Sequence, residues 1–327
     1  MLEHGGRLRR AAQQYGIPAG DWLDLSTGVN PQAWPVPPIP DSVWARLPED
    51  EDGLIEAACA YYGCAHALPV AGSQAAIQAL PHLRPRGRVG VISPGYAEHA
   101  HAWRIAGHNV MALGHESLGR EIGACDVVIL IQPNNPTGTR WPKEALLAWQ
   151  AELAARGGWL VLDEAFMDAT PEDSLAAFSD RPGLIVLRSL GKFFGLAGAR
   201  VGFVLARPDL LQRLAERLGP WPVAGPARYV AAQALRDSAW QESARLQVHS
   251  AGQRLAKLLR AHGLAPDGGC ALFQWLRSET ALDLHKRLAR RGILTRHFEA
   301  PASLRLGLPG SEAEWARLAS ALSELKA

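Results

Sequence analysis

Six short apolar segments alternate with helical segments between residues 88 and 206, and this alternation limits the possible folds more than any other feature. The expected strands are RVGVIS (88–93), NVMAL (109–113), DVVILIQ (126–132), WLVLDEA (159–165), GLIVLRS (183–189) and RVGFVLA (200–206). Helices are expected at about 96–106, 142–156 and 172–178. Apolar strands separated by helices are typical of a mostly parallel sheet covered by helices on both faces. We therefore predict an α/β fold.

The segment before this region predicts a different kind of structure. Residues 7–15 predict a short helix that ends at Gly16, and a second helix is expected at about 52–62. Between them, WLDLSTGVNPQAWPVPPIP (22–40) is dense in proline and turn residues. Such a composition favours an extended arm rather than a packed element.

The pattern changes again after residue 210. Residues 223–261 predict long helices broken near Pro226, and the pattern leaves room for further breaks. Strands at 270–277, 292–298 and 303–309, with helices at 280–290 and 311–325, predict a smaller α+β unit. The expected organisation is thus an N-terminal arm (1–40), a large domain (41–210) and a small C-terminal domain (211–327).

Composition excludes several classes of function. The net charge of +2 over 327 residues gives no electrostatic case for binding nucleic acid or an anionic membrane. The four cysteines, Cys59, Cys64, Cys125 and Cys270, have neither zinc-site nor C-x-x-C spacing, so no metal site is expected. The N-terminal residues lack the apolar core of a signal peptide. We expect a cytoplasmic protein with reduced thiols.

Lys192 is the charged residue that needs a chemical explanation. Only five of the 34 basic residues are lysines, and the other four lie in helical stretches or at the chain end. Lys192 instead follows the apolar strand 183–189, within RSLGKFFGLAGAR (188–200). A lysine beside a buried element is costly unless it is paired or chemically used.

Other polar residues follow neighbouring strands of the same predicted sheet. One strand leads into QPNNPTG (132–138), the next ends in DEA (163–165), and the next ends at Ser189. Ligands of such sheets bind at the carboxyl ends of the strands. This set of groups suits pyridoxal phosphate. The cofactor needs a lysine that holds its aldehyde, a carboxylate that keeps its pyridine nitrogen protonated, and hydrogen-bond donors for its phosphate.

The order NNPTG … DEAF … SLGKFFGLAGARVG resembles the fold-type I, pyridoxal-phosphate-dependent aminotransferase superfamily (class I/II), on the branch of the histidinol-phosphate aminotransferases. The resemblance runs from about residue 22 to the end of the chain. It implies a mostly parallel, seven-stranded type of sheet between helices, a smaller α+β C-terminal domain and a homodimer. Each residue taken singly also has an ordinary structural explanation, such as a cap, a turn or a packed side chain.

The resemblance also implies a role for particular residues. Lys192 matches the Schiff-base lysine, Asp163 the partner of the pyridine nitrogen, and Asn135 the donor to the phenolic oxygen of the cofactor. Tyr96 matches the aromatic residue stacked on the ring. The implied phosphate ligands are Ser189, Arg200 and the turn Gly72, Ser73 and Gln74. Arg305, in LRLG, matches the arginine that anchors an acidic group of the substrate.

Two positions depart from the family pattern. Phe166 follows DEA where the family commonly has tyrosine, so Asn135 alone is left to donate to the phenolic oxygen. LPED (47–50) stands where the family often has a Tyr-Pro-Asp segment that reaches the cofactor phosphate of a neighbouring subunit. Leu47 cannot make that hydrogen bond.

The N-terminal motifs indicate the reaction. HGG (4–6), YGI (15–17), LDLSTGVNP (23–31) and GSQAAI (72–77) resemble the threonine-phosphate decarboxylases of cobalamin biosynthesis. The resemblance implies decarboxylation of L-threonine O-3-phosphate to aminopropanol phosphate. His4, Asn30 and Arg305 are the candidates for holding the carboxylate and phosphate of the substrate.

Three alternatives stay open from the sequence. The chain could be an aminotransferase acting on histidinol phosphate or a similar phosphorylated amine, since that reaction uses the same cofactor residues. It could be a catalytically silent, ligand-sensing or scaffolding member of the fold, although the intact lysine, aspartate and asparagine argue against this. Asn30 could serve only the turn before Pro31, and His4 could belong to a disordered terminus.

Overall fold

The computed structural model describes residues 3–326, so that Met1, Leu2 and Ala327 of the predicted terminal units lie outside the described residues. The helices are α1 (Leu8–Tyr15), α2 (Asp41–Ala45), α3 (Leu54–Tyr62), α4 (Ser73–Ala79), α5 (Ala97–Ile105), α6 (Leu118–Glu121), α7 (Lys143–Ala154), α8 (Pro208–Leu218), α9 (Gly225–Arg236), α10 (Ser238–Ala261), α11 (Ala281–Ala289) and α12 (Glu312–Lys326). The strands are β1 (Leu23–Asp24), β2 (Leu68–Val70), β3 (Arg88–Ile92), β4 (Asn109–Leu113), β5 (Val127–Ile131), β6 (Trp159–Asp163), β7 (Leu184–Ser189), β8 (Gly202–Leu205), β9 (Gly268–Cys270), β10 (Phe273–Arg277), β11 (Ile293–Leu294), β12 (Arg296–Phe298) and β13 (Ser303–Gly307).

A seven-stranded sheet forms the centre of the molecule, in the order β2-β8-β7-β6-β5-β3-β4. The pairings from β7 through β4 are parallel, and β8 is antiparallel to both of its neighbours. This arrangement confirms the predicted mostly parallel α/β fold. All six predicted strands of this region are present, and β2 adds the seventh.

Side chains of the central strands alternate between two apolar layers. Along β5, Val127 and Ile129 pack into one layer with α4 and α8, while Val128 and Leu130 pack into the other with α7, α9 and α10. Because both faces of a strand such as β5 are buried, its sequence is apolar at every position rather than alternating. The sheet is thus sandwiched by helices, as predicted.

The predicted smaller α+β region is organised around a four-stranded antiparallel sheet in the order β12-β13-β10-β9. Helix α10 precedes these strands in the sequence, α11 lies between β10 and β11, and α12 follows β13. Residue 210, the expected boundary, falls within α8. The division of the chain at residues 40 and 210 stays a prediction.

Two expected helix features are wrong, each for a local reason. Residues 172–178 form the 3-10 turns Pro171–Asp173 and Ala176–Phe178, because the buried carboxylate of Glu164 accepts the backbone N–H of Leu175 at 2.8 Å. The break expected near Pro226 lies instead at Asp237. Pro226 falls in the first turn of α9, where its missing N–H costs nothing.

The arm is extended, as expected, but the expectation that it is unpacked is wrong. Its strand β1 pairs in parallel with β11, and Leu25 is completely buried in the main apolar layer. Further along, Trp34 donates from its indole N–H to Asp237 at 2.9 Å. The proline-rich composition therefore describes the backbone conformation of the arm and not its degree of burial.

We expect Leu25→Ala to lower the free energy of unfolding by about 3 kcal/mol, because truncating a fully buried leucine leaves a cavity. The matched control is Val36→Ala in the same arm, where the side chain is 52% exposed and the change should stay within about 0.5 kcal/mol. Urea unfolding of the two variants, followed by circular dichroism, measures both values. Similar small effects for the two variants would contradict a core role for the arm.

Candidate active site

A cavity of about 420 Å³ lies at the carboxyl ends of β5, β6 and β7. Ten of the twelve residues singled out from the sequence line it: His4, Ser73, Gln74, Tyr96, Asn135, Asp163, Ser189, Lys192, Arg200 and Arg305. The other two, Gly72 and Asn30, lie outside its lining. The strand-end motifs are thus brought to one place, as expected from parallel strands.

Asp163 is the last residue of β6 and is 4% exposed. Its Oδ2 lies 2.9 Å from Nε2 of the buried His99, and its Oδ1 accepts the backbone N–H of Ala165 at 3.1 Å. These two contacts hold the carboxylate in one orientation at the cavity wall. The sequence interpretation did not include His99; the available signal was its helical spacing of three from Tyr96, whose ring it meets edge-on at 6.1 Å.

Lys192 lies in the turn that follows β7, with Nζ 5.3 Å from the centre of the Phe166 ring. Burial, together with the charges of Arg305 and Arg200 and against the opposing effect of Asp163, lowers the pKa of Lys192 to about 8. The amine is therefore available in its neutral, nucleophilic form at mildly alkaline pH.

One end of the cavity is formed by the residues predicted to hold a phosphate. Ser189 Oγ accepts the backbone N–H of Gly191 at 3.2 Å, and Arg200 adopts a left-handed backbone conformation with φ of 55°. A Cβ at Gly72 would lie 2.5 Å from Nη2 of Arg200. Gly72 therefore contributes by leaving room for the guanidinium rather than by lining the cavity.

Asn135 and Arg305 form one polar unit at the opposite wall. Arg305 is 6% exposed and donates from Nη1 to Oδ1 of Asn135 at 2.5 Å and from Nη2 to the carbonyl of Ser26 at 2.8 Å. Burial, followed by the charge of Arg296, lowers the pKa of Arg305 to about 10. Since Arg305 occupies the amide oxygen of Asn135, the amide nitrogen is the group left to donate to a ligand.

Arg296 is a candidate ligand-binding residue that the sequence interpretation missed. It lines the cavity and lies directly opposite Arg305 in the antiparallel pair β12–β13. Like charges opposite each other across a sheet are destabilising, so this pair favours an anion between or beside the two guanidinium groups. The position of Arg296 opposite Arg305 depends on the pairing register of β12 and β13, which the sequence does not provide.

His4 is held above the cavity by a chain of polar contacts. His4 Nε2 lies 2.7 Å from Oε1 of Glu98, whose Oε2 accepts from the amide of Gln74 at 2.9 Å. Tyr96 donates from its hydroxyl to Gln74 Oε1 at 3.2 Å, and burial raises the pKa of Tyr96 to about 12. His4 is thus tied to two residues implicated in cofactor binding, and a role for it toward substrate stays a prediction.

Asn30 contacts the turn that carries Lys192 and lies outside the cavity lining. Asn30 is 3% exposed, its amide nitrogen donates to the carbonyl of Phe193 at 3.0 Å, and its amide oxygen accepts the N–H of Gln32. Its backbone N–H donates to the carbonyl of Lys192 at 2.9 Å. Both polar atoms of the side chain therefore have partners outside the cavity, and one of these contacts holds the lysine turn. A role of Asn30 toward substrate stays a prediction.

The two departures from the family pattern are visible in the structure. Phe166 is buried in the cavity wall and offers no hydrogen-bond donor, which leaves the amide of Asn135 in that role. Leu47 is 63% exposed and lies in a separate surface groove beside α9.

Residues 50–322 match the model of a family described as aminotransferase class I and II. Threonine-phosphate decarboxylase of Pseudomonas aeruginosa is 61% identical over 326 residues, covering 100% of this chain and 98% of that protein. Histidinol-phosphate aminotransferase 2 of Burkholderia mallei is 31% identical over 292 residues, covering 84% of this chain and 81% of that protein.

The fold is also similar to solved structures. The crystal structure of histidinol-phosphate aminotransferase from Sinorhizobium meliloti in complex with pyridoxal-5'-phosphate superposes with a TM-score of 0.82 at 24% identity. The match covers 99% of this chain and 95% of that chain. At this level of identity the likeness concerns the fold alone.

The residues present fit the chemistry of pyridoxal phosphate. The space that Gly72 leaves beside the guanidinium of Arg200 is suited to a phosphate, Lys192 supplies an amine, and Asp163 supplies a fixed carboxylate. The cavity wall carries four cationic side chains, Lys192, Arg200, Arg296 and Arg305, against two carboxylates, Glu3 and Asp163. This excess of positive charge suits ligands that carry several anionic groups.

The pKa of Lys192 predicts how the apoenzyme takes up its aldehyde. We expect the rate of reconstitution with pyridoxal phosphate, followed by the visible absorbance, to rise through a midpoint near pH 8 as the amine loses its proton. In Arg305→Gln the midpoint should move to higher pH, because removing a neighbouring cation favours the ammonium form. A midpoint above pH 10 in the unchanged protein would contradict the lowered pKa.

The contacts of Asn30 with the lysine turn predict a change in kcat and not in KM. We expect Asn30→Ala to lower kcat about tenfold or more, because small displacements of a catalytic group have large effects on rate, while KM changes little. The control is Gln32→Ala, an exposed neighbour that bonds the carbonyl of Gly310. A large increase in KM with kcat unchanged would restore the substrate-binding role.

Proposed function

The chain belongs to the aminotransferase class I and II family, and from this membership we propose that it decarboxylates L-threonine O-3-phosphate to aminopropanol phosphate with pyridoxal phosphate, for cobalamin biosynthesis. The observation that carries the proposal is the full-length relative at 61% identity, a threonine-phosphate decarboxylase. The opposed guanidinium groups of Arg296 and Arg305 support a substrate with a dianionic group.

The cofactor would be held at three points of the cavity. Its phosphate would lie against Ser189, Arg200 and the turn that begins at Gly72, and its aldehyde would meet Lys192. Asn135 would donate to the phenolic oxygen through the amide nitrogen that Arg305 leaves available. The aromatic ring of Tyr96 lies in the cavity wall, where it could stack on the cofactor ring.

When bound, pyridoxal phosphate supplies an aldehyde that condenses with an amine and a protonated ring that accepts the electron pair of a bond broken at the substrate Cα. Asp163, fixed by His99 and by the N–H of Ala165, would hold the proton of the ring nitrogen. Lys192 would hold the aldehyde until the amino group of the substrate takes its place, and its free amine would then remain within the cavity. After carbon dioxide has left, Lys192 Nζ would be placed to donate a proton to Cα where the carboxylate had been.

The pKa of Lys192 suits both of its tasks. At about 8, it allows the amine to be neutral for the aldehyde and the ammonium to be available as a proton donor at near-neutral pH. Burial is the main cause of this value, and the apolar wall that Phe166 provides contributes to that burial.

The substrate would be oriented by its two acidic groups. Arg305 is anchored to Asn135 and Ser26, so its guanidinium has a fixed position from which to bind an anion. Arg296 reaches the same cavity from the facing strand, and His4 borders the opening. Loss of carbon dioxide requires that the bond to the carboxylate stand perpendicular to the ring, and these three side chains are the ones able to impose that orientation.

The second candidate is an aminotransferase acting on histidinol phosphate or a similar phosphorylated amine. The relative at 31% identity named histidinol-phosphate aminotransferase 2 supports it. The two reactions share the cofactor residues and differ in which bond at Cα is held perpendicular to the ring. The higher identity and greater coverage of the decarboxylase relative favour the first candidate.

We also propose that the chain works as a homodimer in the cytoplasm. Leu47 lines the groove beside α9 and is 63% exposed, and Trp44 in the nearby helix α2 is 67% exposed. Large exposed apolar side chains that lie close together mark an interaction surface. A second copy of the chain is the occupant that the family suggests. No helix within residues 3–326 is both long and apolar enough to cross a bilayer.

The reaction can be tested with two substrates offered to the holoenzyme. We expect release of carbon dioxide and aminopropanol phosphate from L-threonine O-3-phosphate. The second assay offers histidinol phosphate with 2-oxoglutarate as the amino acceptor, so that amino transfer would produce glutamate. We expect little glutamate in this assay. The control is Lys192→Ala, which should lose both the visible absorbance of the bound aldehyde and the activity. Clear amino transfer without carbon dioxide would establish the second candidate instead. A protein that cannot be reconstituted with the cofactor would establish a silent member of the fold.

A further inference from the structure

A second cavity, of about 580 Å³, lies beside the candidate active site. Helix α1 forms one wall, and α11 with the strands β11 and β12 forms the other. Residues 3–5 separate it from the active-site cavity, because Glu3, His4 and Gly5 line both spaces. The proposed reaction makes no use of this second cavity.

Positive charge is concentrated on its walls. The cationic side chains are Arg7, Arg10 and Arg296, against the carboxylates Glu3 and Glu299. Burial lowers the pKa of Arg296, Glu3 opposes this effect, and the charge of Arg7 lowers it further. The charges of Arg7 and Arg296 therefore repel each other, and an anion between them would relieve the repulsion.

One carboxylate serves two of these arginines. Arg10 donates to Oε1 of Glu3 at 3.2 Å, and Nη1 of Arg296 lies 4.0 Å from Oε2 of the same side chain. Glu3 is 64% exposed, so solvent screens these contacts and they hold the side chain weakly. A ligand with a doubly charged group could replace Glu3 at both arginines.

The remaining wall is partly apolar and partly polar. Ala11 and Leu294 are buried at its base, and Leu282 is 46% exposed at its edge. His285 Nδ1 contacts Thr295 Oγ1 at 2.8 Å, which leaves its other ring nitrogen for a ligand. A cavity lined by several guanidinium groups and by aliphatic side chains fits a phosphate ester with an apolar part.

We propose that this second cavity binds an organic phosphate and thereby modulates the active site. The phosphate lies on Arg10 and Arg7, within reach of Arg296, and the apolar part lies against Leu282 and Leu294. Binding changes substrate affinity, because Arg296 borders both cavities and donates to the carbonyl of Glu3 at 2.7 Å. The binding is independent of the proposed function, whereas its effect on KM depends on it.

Phenyl phosphate is the probe, titrated calorimetrically into the holoenzyme. We expect Arg10→Ala to weaken its affinity about tenfold, because one charge-assisted contact is lost. The matched control is Arg9→Ala, an exposed arginine of the same helix that does not line the cavity and should leave the affinity unchanged. Glu3→Gln should strengthen binding, because it removes the internal competitor for Arg10 and Arg296.

A second variant, Leu282→Glu, keeps the proposal testable if Arg10→Ala does not fold. Leu282→Glu places a carboxylate at the exposed edge of the second cavity and should also weaken binding, while the thermal unfolding midpoint verifies that each variant is folded. If Arg10→Ala and Leu282→Glu both bind like Arg9→Ala, or if Glu3→Gln binds more weakly, the second site is refuted. These results stand whatever reaction the enzyme catalyses.

Steady-state kinetics tests the coupling. With the second site occupied, KM for L-threonine O-3-phosphate should rise to a limiting value as phenyl phosphate increases, since the two ligands bind together. Arg10→Ala should shift this curve to higher phenyl phosphate concentrations. A rise in KM without limit, insensitive to Arg10→Ala, would place the probe in the active site alone and overturn the proposal.

Discussion

A buried ion network behind the cavity is the interaction on which the rest of the site depends. Arg188, 1% exposed, donates to Glu164 at 2.7 Å and to Asp168 at 2.5 Å, and its guanidinium lies 4.5 Å from the ring centre of Tyr62. Burial alone would lower the pKa of Arg188, but the two carboxylates more than reverse this and raise it. Removing one partner would strand a buried charge, which is far more destabilising than the net value of an intact pair. The network therefore fixes the relative position of β7 and the segment that follows β6.

The charged residues of the network are sequence neighbours of the cavity residues at the ends of β6 and β7. Glu164 follows Asp163, and Arg188 precedes Ser189, so the charges that hold the backbone lie on one side and the ligand-binding groups on the other. The same segment carries the link to the long helix α10, since Arg245 donates to the carbonyl of Asp168 at 3.1 Å and His249 contacts that of Ala169 at 2.8 Å. The cavity is thus rigid where the cofactor would bind, because ionic, backbone and helix contacts meet there. Such support is what precise placement of Asp163 and Lys192 requires.

The sequence predicted the groups that follow strands and missed those that depend on contacts between distant segments. Lys192, Asp163, Asn135 and Ser189 could be identified because each follows an apolar strand, and parallel strands end at one edge. His99 contacts Asp163 across 64 residues, and Arg296 faces Arg305 only through the register of β12 and β13. The failed helix at 172–178 has the same origin, since a buried carboxylate from another part of the chain takes its backbone donors. Local pattern contains no information on such partners.

The N-terminal arm shows how one misjudged segment changes the understanding of the whole site. If the arm were unpacked, it could reach the substrate only by folding over a cavity that the rest of the chain had already formed. In the structure several of its side chains are buried: Leu25 completes the core, and Asn30 and Trp34 donate to the carbonyls of Lys192, Phe193 and Phe194. Its first residues, 3–5, then form the wall shared by two cavities with an excess of positive charge. Residues 3–5 belong to the same arm as Asn30, which holds the turn that carries Lys192. One continuous segment therefore contacts both the wall that the two cavities share and the turn that carries Lys192.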